Sequence, residues 1–536
     1  MIARLPLSFI RLSLFSLIVG VATLLSSAAS AQSTQFKQAV ASAAAKDKAL
    51  AAFYQERKYK PIWTGASGKD RQRRQAFLKA VGQASLHGLP AARYDADELK
   101  ALIRSAKAGR SRGELEVEMS RRFLQYARDI QTGVLIPSRV DSEIVRAVPY
   151  RDRLATLKAF SKSSAAGFIK SLPPKNPEYT RLMKEKLALE KGLARGGWGP
   201  KVSAKSLKPG QSGQSVVALR NRLVAMGYLR KSASQSYDEA MTKAVQLFQF
   251  NHGLSADGVA GAGTMAEINV PMQARLQSVI VAMERERWMN MPLGKRHVKV
   301  NLADFTAKIM DGEKTTFRTR SVIGKNDPDR RSPEFSDTME FMVINPSWYV
   351  PRSIATKEYL PLLKKNRNAV SHLEITDSKG RKISRGNVNF AKFTEASFPY
   401  NMRQPPSRGN ALGLVKFMFP NKYNIYLHDT PAKNLFSREV RAYSHGCIRL
   451  NDPFDFAYAL LAKQESNPEA FFQAKLATNK EARVNLKEPV PVHIMYRTAF
   501  TQAKGPMNYR RDIYGRDATI WRALSNAGVA LRAVQG

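Results

Sequence analysis

The sequence predicts a multidomain α+β chain, helical in its first half and mainly β in its second. Three observations carry this. At 536 residues, 43% of them hydrophobic, the chain is too long for one core and too apolar to be disordered. Apolar residues recur at helical spacing as far as Trp288 and alternate beyond about Lys295. Between the helical stretches, Gly196-Gly-Trp-Gly-Pro opens a Ser/Lys/Gly-rich linker running to Gly213.

Taken in order, residues 1–31 carry Arg4 and Arg11, no acidic residue, an apolar run from Leu12 to Leu25, and Ala29-Ser30-Ala31 before Gln32. That is the pattern of a cleaved secretory signal peptide. The competing anchor helix needs about 20 apolar residues, more than this run supplies. Residues 32–196 form a helical region, with Phe77, Val81 and Ala84, or Phe123, Tyr126 and Ile130, on single faces. It holds no catalytic pattern and reads as a scaffold or partner-binding unit.

Residues 197–272 hold the linker and a small helical module. Val216, Leu219 and Leu223 make one face, Gly227-Tyr228-Leu229 ends a helix, and Ala244, Val245 and Phe248 make a second face before His252-Gly253-Leu254. Residues 273–294 read as a connecting helix with Leu276, Ile280 and Met283 on one side. From 295 to 497 the chain is mainly β, as in His297-Val-Lys-Val-Asn-Leu, Phe305-Thr-Ala-Lys-Ile-Met and Phe341-Met-Val-Ile-Asn. An insertion over about 352–405, opening with a helix from Ile354 to Lys365, reads as a lid or a surface excursion. Leu414-Val-Lys-Phe-Met-Phe and Tyr423-Asn-Ile-Tyr-Leu-His are predicted to pair through Pro420-Asn421-Lys422, which delivers His428 at a strand end. Asp452-Pro453 then caps a helix from Phe454 to Leu461. Residues 498–536 read as a basic tail with Trp521 and Leu524 as its apolar anchors.

Charge narrows the partners. The formal charge is +42, from 86 Lys and Arg against 44 Asp and Glu, so the chain is drawn to polyanions. Export and the lack of any zinc-finger, RNA-recognition or helix-turn-helix signature argue against nucleic acid. An anionic wall or membrane surface fits better.

Cys447 is the one cysteine in the sequence, so an exported form has no internal disulfide to make and carries a free thiol. It sits in Ser444-His445-Gly446-Cys447, with His428 19 positions upstream. A thiol of ordinary pKa, about 8.5, is mostly protonated at neutral pH, so a nucleophilic role needs a base or an electropositive setting. His428 is the candidate base. Gly446 allows close backbone approach, and the amides around Gly446 and Cys447 are candidates for holding a tetrahedral oxyanion. The chemistry this supports is acyl transfer through a thioester. A zinc site built from His428, Asp429, His445 and Cys447 is the rival reading, although Cys-x-x-Cys and His-Glu-x-x-His spacings are absent.

Two resemblances sharpen this. SVVALRNRLVAMGYL with AVQLFQFNHGLSADGVAGAGT, over about 210–269, resembles the three-helix peptidoglycan-binding module. Tyr426-Leu-His-Asp-Thr-Pro with Ser444-His-Gly-Cys-Ile-Arg-Leu resembles the signature of the YkuD-type L,D-transpeptidases, over about 284–465. Asn345-Pro-Ser-Trp-Tyr-Val-Pro and Asn410-Ala-Leu-Gly resemble their large Gram-negative branch, which joins a helical scaffold, a peptidoglycan-binding module and a mainly β catalytic domain with an inserted lid. The resemblance implies a periplasmic enzyme without a cofactor. Cys447 would attack the third-residue carbonyl of a tetrapeptide stem, release D-alanine, and pass the acyl group to an acceptor amine as a 3,3 cross-link. It implies His428 as base with the Asp429 carbonyl orienting its ring, support from Ser444, His445 and Gly446, and substrate contacts at Arg449, Tyr426 and Trp348. The implied partners are peptidoglycan stems and glycan, with other wall enzymes or outer-membrane proteins beside them, and the implied drug reactivity is acylation of Cys447 by carbapenems. A wall-anchoring protein without catalysis, or a transpeptidase that attaches a protein to the wall, are the alternatives. One departure stands out: Pro406-Ser407 occupies a place where related sequences have Pro-Gly.

Overall fold

The structure, a computed structural model, describes residues 31–531. The predicted signal segment therefore lies outside the described residues except for Ala31. Among the described residues no helix is long and apolar enough to cross a membrane.

The first half is helical as the spacing predicts. Phe77, Val81 and Ala84 face inward from one helical stretch, and Phe123, Tyr126 and Ile130 from the long helix Gly109–Thr132, all in one core. That long helix also buries Glu116, which accepts the backbone N–H groups of Ile62 (2.7 Å), Trp63 (3.1 Å) and Thr64 (2.8 Å). A carboxylate in an apolar core is tolerable only when so fully hydrogen-bonded. Three further helices, Gln214–Ala225, Glu239–Asn251 and Ala262–Ile268, enclose a separate small core around Leu219, Val245 and Phe248.

Among the described residues the second half holds fourteen strands, twelve of them before a short pairing of Ala499–Phe500 with Asn508–Tyr509. β1 is Arg296–Asn301, β2 Thr306–Asp311, β3 Lys314–Gly324, β4 Phe335–Ile344, β5 Trp348–Tyr349, β6 Glu374–Thr376, β7 Asn401–Gln404, β8 Val415–Met418, β9 Leu427–His428, β10 Ala442–Ser444, β11 Ile448–Leu450 and β12 Ala482–Met495. A nine-stranded sheet runs β10-β3-β11-β9-β8-β4-β12-β1-β2, and an additional β2–β3 pairing closes all but β10 into a ring. β3 makes this possible by its length: its first half pairs with β2, its last residues with β11 and β10. The ring is filled by its alternate residues, among them Val300, Ile344, Phe417, Leu427 and Ile448.

The insertion forms its own layer. β5, β7 and β6 make a three-stranded sheet over a core of Leu360, Leu363, Ile375, Phe398 and Met402. Its helix starts at Arg352, two residues before the predicted Ile354, and widens to a π turn over Ala355–Tyr359 ahead of Pro361, which has no N–H to donate.

Two features past residue 480 escape local pattern, each for its own reason. β12 pairs with both β4 and β1, yet Pro489 and Pro491 mask its alternation, and the register shifts between Asn485 and Val490. The basic tail is not a tail: helix Arg516–Asn526 buries Ile520 and Leu524 in the scaffold core, with Val529 beyond it. Its charges are buried as pairs. Arg516 reaches Glu143 (2.9 Å), and Asp517 meets Arg285 (3.2 Å), which also holds Glu334 (2.6 Å). Arg285 belongs to the predicted connecting helix, observed at Met272–Trp288, whose Glu284, Arg285, Glu286 and Arg287 are all buried between scaffold and barrel. Removing one partner from a buried pair costs about 3–5 kcal/mol, so this cluster fixes the barrel against the scaffold.

Candidate active site

Strand register puts Cys447 and His428 on neighbouring strands. β9 and β11 run parallel, with Ile448 beside Leu427 and Arg449 beside His428. Leu427, Ile448 and Leu450 point into the barrel core. By alternation, Tyr426, His428, Cys447 and Arg449 share the opposite face, on neighbouring strands about 4.8 Å apart. Tyr426 packs against both the barrel core and the lid core, so this face lies beneath the insertion.

The β8–β9 connection is longer than its alternation predicts, running from Phe419 to Tyr426, and the difference matters. Asn421 donates to the carbonyls of Phe419 and Ile425 and accepts the N–H groups of Tyr423 and Ile425. Asn424 then takes a left-handed conformation, φ 54°. Strand pairing is thereby delayed to Leu427, and the Asn424 carbonyl is turned to the thiol, which donates to it at 3.4 Å. In the resting arrangement the thiol therefore donates to Asn424 and not to His428.

The His428 ring is buried, and its Nδ1 donates to the Asp429 carbonyl at 2.5 Å. That bond sets the tautomer and leaves Nε2 as the basic nitrogen. Burial first, then the Arg449 cation, hold the ring down to about 3. It is neutral at physiological pH. Burial likewise pushes the Cys447 thiol up to about 11, against smaller opposite pulls from Tyr426 and Arg449. The site thus rests as neutral thiol beside neutral imidazole, not as a preformed ion pair. Alkylation of Cys447 by iodoacetamide is accordingly expected to rise about tenfold per pH unit between roughly pH 7 and 10. A plateau near the ordinary thiol pKa, about 8.5, would show that burial does not control the sulfur.

Gly446 has φ +113°, and a Cβ there would stand 3.1 Å from Ile425 Cδ1, so glycine is required. Its N–H donates to Ser444 Oγ (3.1 Å), whose hydroxyl donates to the Cys447 carbonyl (2.5 Å), while Ser332 Oγ donates to the Gly446 carbonyl (2.6 Å). The Gly446 amide is occupied, which leaves the Cys447 N–H as the donor of this loop. Arg449 is half-buried, forms no ion pair among the described residues, and has an unpartnered Nε. A structural salt bridge is not its role.

The other predicted positions lie apart from the sulfur. His445 is turned outward to Glu358 of the lid helix at 2.8 Å, and Glu358 also holds Arg330 at 2.9 Å. Asp429 accepts the Leu414 N–H (2.9 Å) and Lys433 (2.7 Å). The four donors of the zinc reading therefore face different partners. Trp348 is buried in the lid core, whereas its neighbour Tyr349 is two-thirds exposed. The Pro406-Ser407 departure is accommodated without positive φ at Ser407, since buried Asn410 ties the loop by donating to the carbonyls of Pro346, Gln404 and Pro405. Asp452 precedes the helix Pro453–Leu461 but its side chain makes no cap; it accepts Thr319 Oγ1 instead. Asn424, Ser332 and Glu358 were not foreseen. An asparagine in a turn beside β9 is a weak signal for the first, and nothing local marks the other two.

Comparison with known proteins follows the same division of the chain. Residues 48–185 match a family model described as "Scaffold domain", residues 212–268 one described as "Putative peptidoglycan binding domain", and residues 295–467 one described as "L,D-transpeptidase catalytic domain". A curated protein of Haemophilus influenzae named "Putative L,D-transpeptidase" is 28% identical over 280 residues, 51% of this chain; the match spans only 56% of that relative's length. A crystal structure of the L,D-transpeptidase (residues 123–326) from Xylanimonas cellulosilytica aligns at 15% identity over 55% of this chain and 100% of that one, with a TM-score of 0.16, too low to speak to the fold.

Proposed function

We propose that this chain, which carries an L,D-transpeptidase catalytic domain beside a scaffold domain and a peptidoglycan-binding domain, is an extracytoplasmic cysteine acyltransferase acting on peptidoglycan stem peptides. The observation that carries the reading is the shared face of Cys447, Tyr426, His428 and Arg449 on β9 and β11. A stem carboxylate pairs with the unpartnered Arg449 guanidinium. Cys447 leaves the Asn424 carbonyl and turns to His428, whose Nε2 takes the thiol proton as sulfur bonds to the third-residue carbonyl carbon. The oxygen becomes an oxyanion held by the Cys447 N–H. The bond to the terminal D-alanine breaks, and the imidazolium returns its proton to the departing amine. An acceptor amine of a second stem then attacks the thioester carbonyl, His428 takes the amine's proton and passes it to the departing sulfur, and the new amide is the 3,3 cross-link.

The pKa shifts fit this order. Because neither partner is charged at rest, proton transfer accompanies attack instead of preceding it. The carbonyls of Asp429 and Leu412 both favour the protonated ring, which stabilises the imidazolium while it exists.

The test is intact mass spectrometry after exposure to a carbapenem. One stoichiometric adduct mapped to Cys447 and absent in Cys447→Ala is the expected result. A folded, reduced protein that takes no adduct would overturn the reading in favour of a wall-binding protein.

A further inference from the structure

A second polar cavity lies between the small three-helix module and the barrel, away from the thiol. It measures about 220 Å³ and is lined by Arg318, Arg320, Arg441, Arg510 and Arg511 against two carboxylates, Asp304 and Glu439. The module's loop, from His252 to Leu254, supplies one wall and β3 another. This wall is built, not incidental: Arg510 donates to the Asn251 carbonyl (2.8 Å), and a Cβ on Gly253 would lie 2.7 Å from Arg510 Cδ.

The charges inside do not balance. Asp304 is taken by Arg510 at 2.6 Å, leaving Arg318 at 3.8 Å. Arg511 is divided between Glu267 (3.0 Å) and Glu439 (3.9 Å). Arg320 and Arg441 form no ion pair among the described residues. They donate only to backbone carbonyls, Arg320 to Phe436 and Arg441 to Phe305, Ser321 and Arg438. Carbonyls satisfy N–H groups without cancelling charge. Burial holds the Arg441 guanidinium down to about 10, with Arg320, Arg318 and Arg510 adding to the effect against Asp304. Keeping such a cluster together is unfavourable unless an anion enters. The mouth adds apolar surface, with Phe250 half exposed and Val440 over a third exposed.

We propose that this interdomain groove binds the carboxylates of an acidic peptidoglycan stem peptide, holding a strand in register with Cys447. Guanidinium forks suit carboxylates, and an apolar rim suits the aliphatic parts of a stem. Along the chain the groove is close to the candidate active site, because Arg441 leads into β10, which ends at Ser444. From Arg441 to Cys447 is six residues, at most about 20 Å of extended chain. A module that binds wall polymer alone would not need arginines from the barrel; here both domains contribute, so binding also sets position. The inference rests on the stem-peptide reading above, and its test separates the two.

The experiment uses the full mature chain and insoluble peptidoglycan. Arg318→Glu with Arg320→Glu, both exposed on β3, is compared with Lys37→Glu and Lys46→Glu, which make the same charge change on exposed scaffold positions. The groove variant is expected to bind peptidoglycan at least about tenfold more weakly at moderate salt, while the scaffold variant binds as the parent does. Blocking the stem carboxylates by amidation should reduce binding of the parent by a similar factor. An equal loss in both variants, or undiminished binding to amidated peptidoglycan, overturns the groove. Carbapenem adduct formation at Cys447 is read in parallel. If the groove variant keeps the adduct yet binds weakly, the fold is intact and the groove stands; if the parent itself takes no adduct, the catalytic reading fails on its own terms.

Discussion

Replacing Cys447 by serine is expected to lower 3,3 cross-link formation by on the order of 10⁴-fold or more. The exchange removes one sulfur and keeps shape, and the hydroxyl can still donate to the Asn424 carbonyl that now accepts the thiol. The loss would therefore be chemical and not structural. A serine hydroxyl is far harder to deprotonate than a thiol, and the base offered here is a ring held down to about 3 by burial and Arg449. No carboxylate backs that ring; its Nδ1 partner is a carbonyl. A base so weak can assist a thiol but does little for a hydroxyl. Liquid chromatography of muropeptides after incubation with tetrapeptide-rich peptidoglycan gives the readout. Residual cross-linking above about 1% of the parent would mean that sulfur is not the acyl carrier.

Much of this site is legible in the sequence because strand alternation carries it. Once His428 ends one strand and Cys447 precedes another, period two puts each on the side away from Leu427 and Ile448. What alternation cannot supply is which strands are neighbours. The parallel pairing of β9 with β11, and the closure of β2 on β3, join residues far apart in the chain and leave no local mark. Side-chain partners across domains are equally silent: nothing near Glu358 announces that it holds His445, 87 positions later.

Composition misled at the C-terminus for a related reason. Counting arginines past residue 497 gives a basic tail, but burial depends on pairing, and Arg516 and Asp517 find their partners in Glu143 and Arg285, some 230 to 370 positions earlier. The same excess of arginine that reads as solvated surface is in one place buried structure and in another, at the groove beside β10, charge without a partner. Distinguishing these requires the fold.

Substitution of His428 by glutamine is expected to slow acylation of Cys447 by about 10²–10⁴-fold and, more tellingly, to change its dependence on pH. In the parent the ring is lowered to about 3, so it is unprotonated and able to accept a proton throughout the range from about pH 5 to 8, and lowering the pH across it should cost little rate. The thiol, pushed up to about 11, contributes almost no thiolate there, so the rate must come from proton transfer to Nε2. Without that nitrogen the only route is spontaneous ionisation of the thiol. Acylation by a carbapenem should then climb about tenfold per pH unit up to pH 10, and approach the parent rate only at the alkaline end. A glutamine variant that stays slow by a constant factor at every pH would assign His428 to positioning and leave the base to be found elsewhere. A variant whose rate matches the parent near neutral pH would remove His428 from the mechanism altogether.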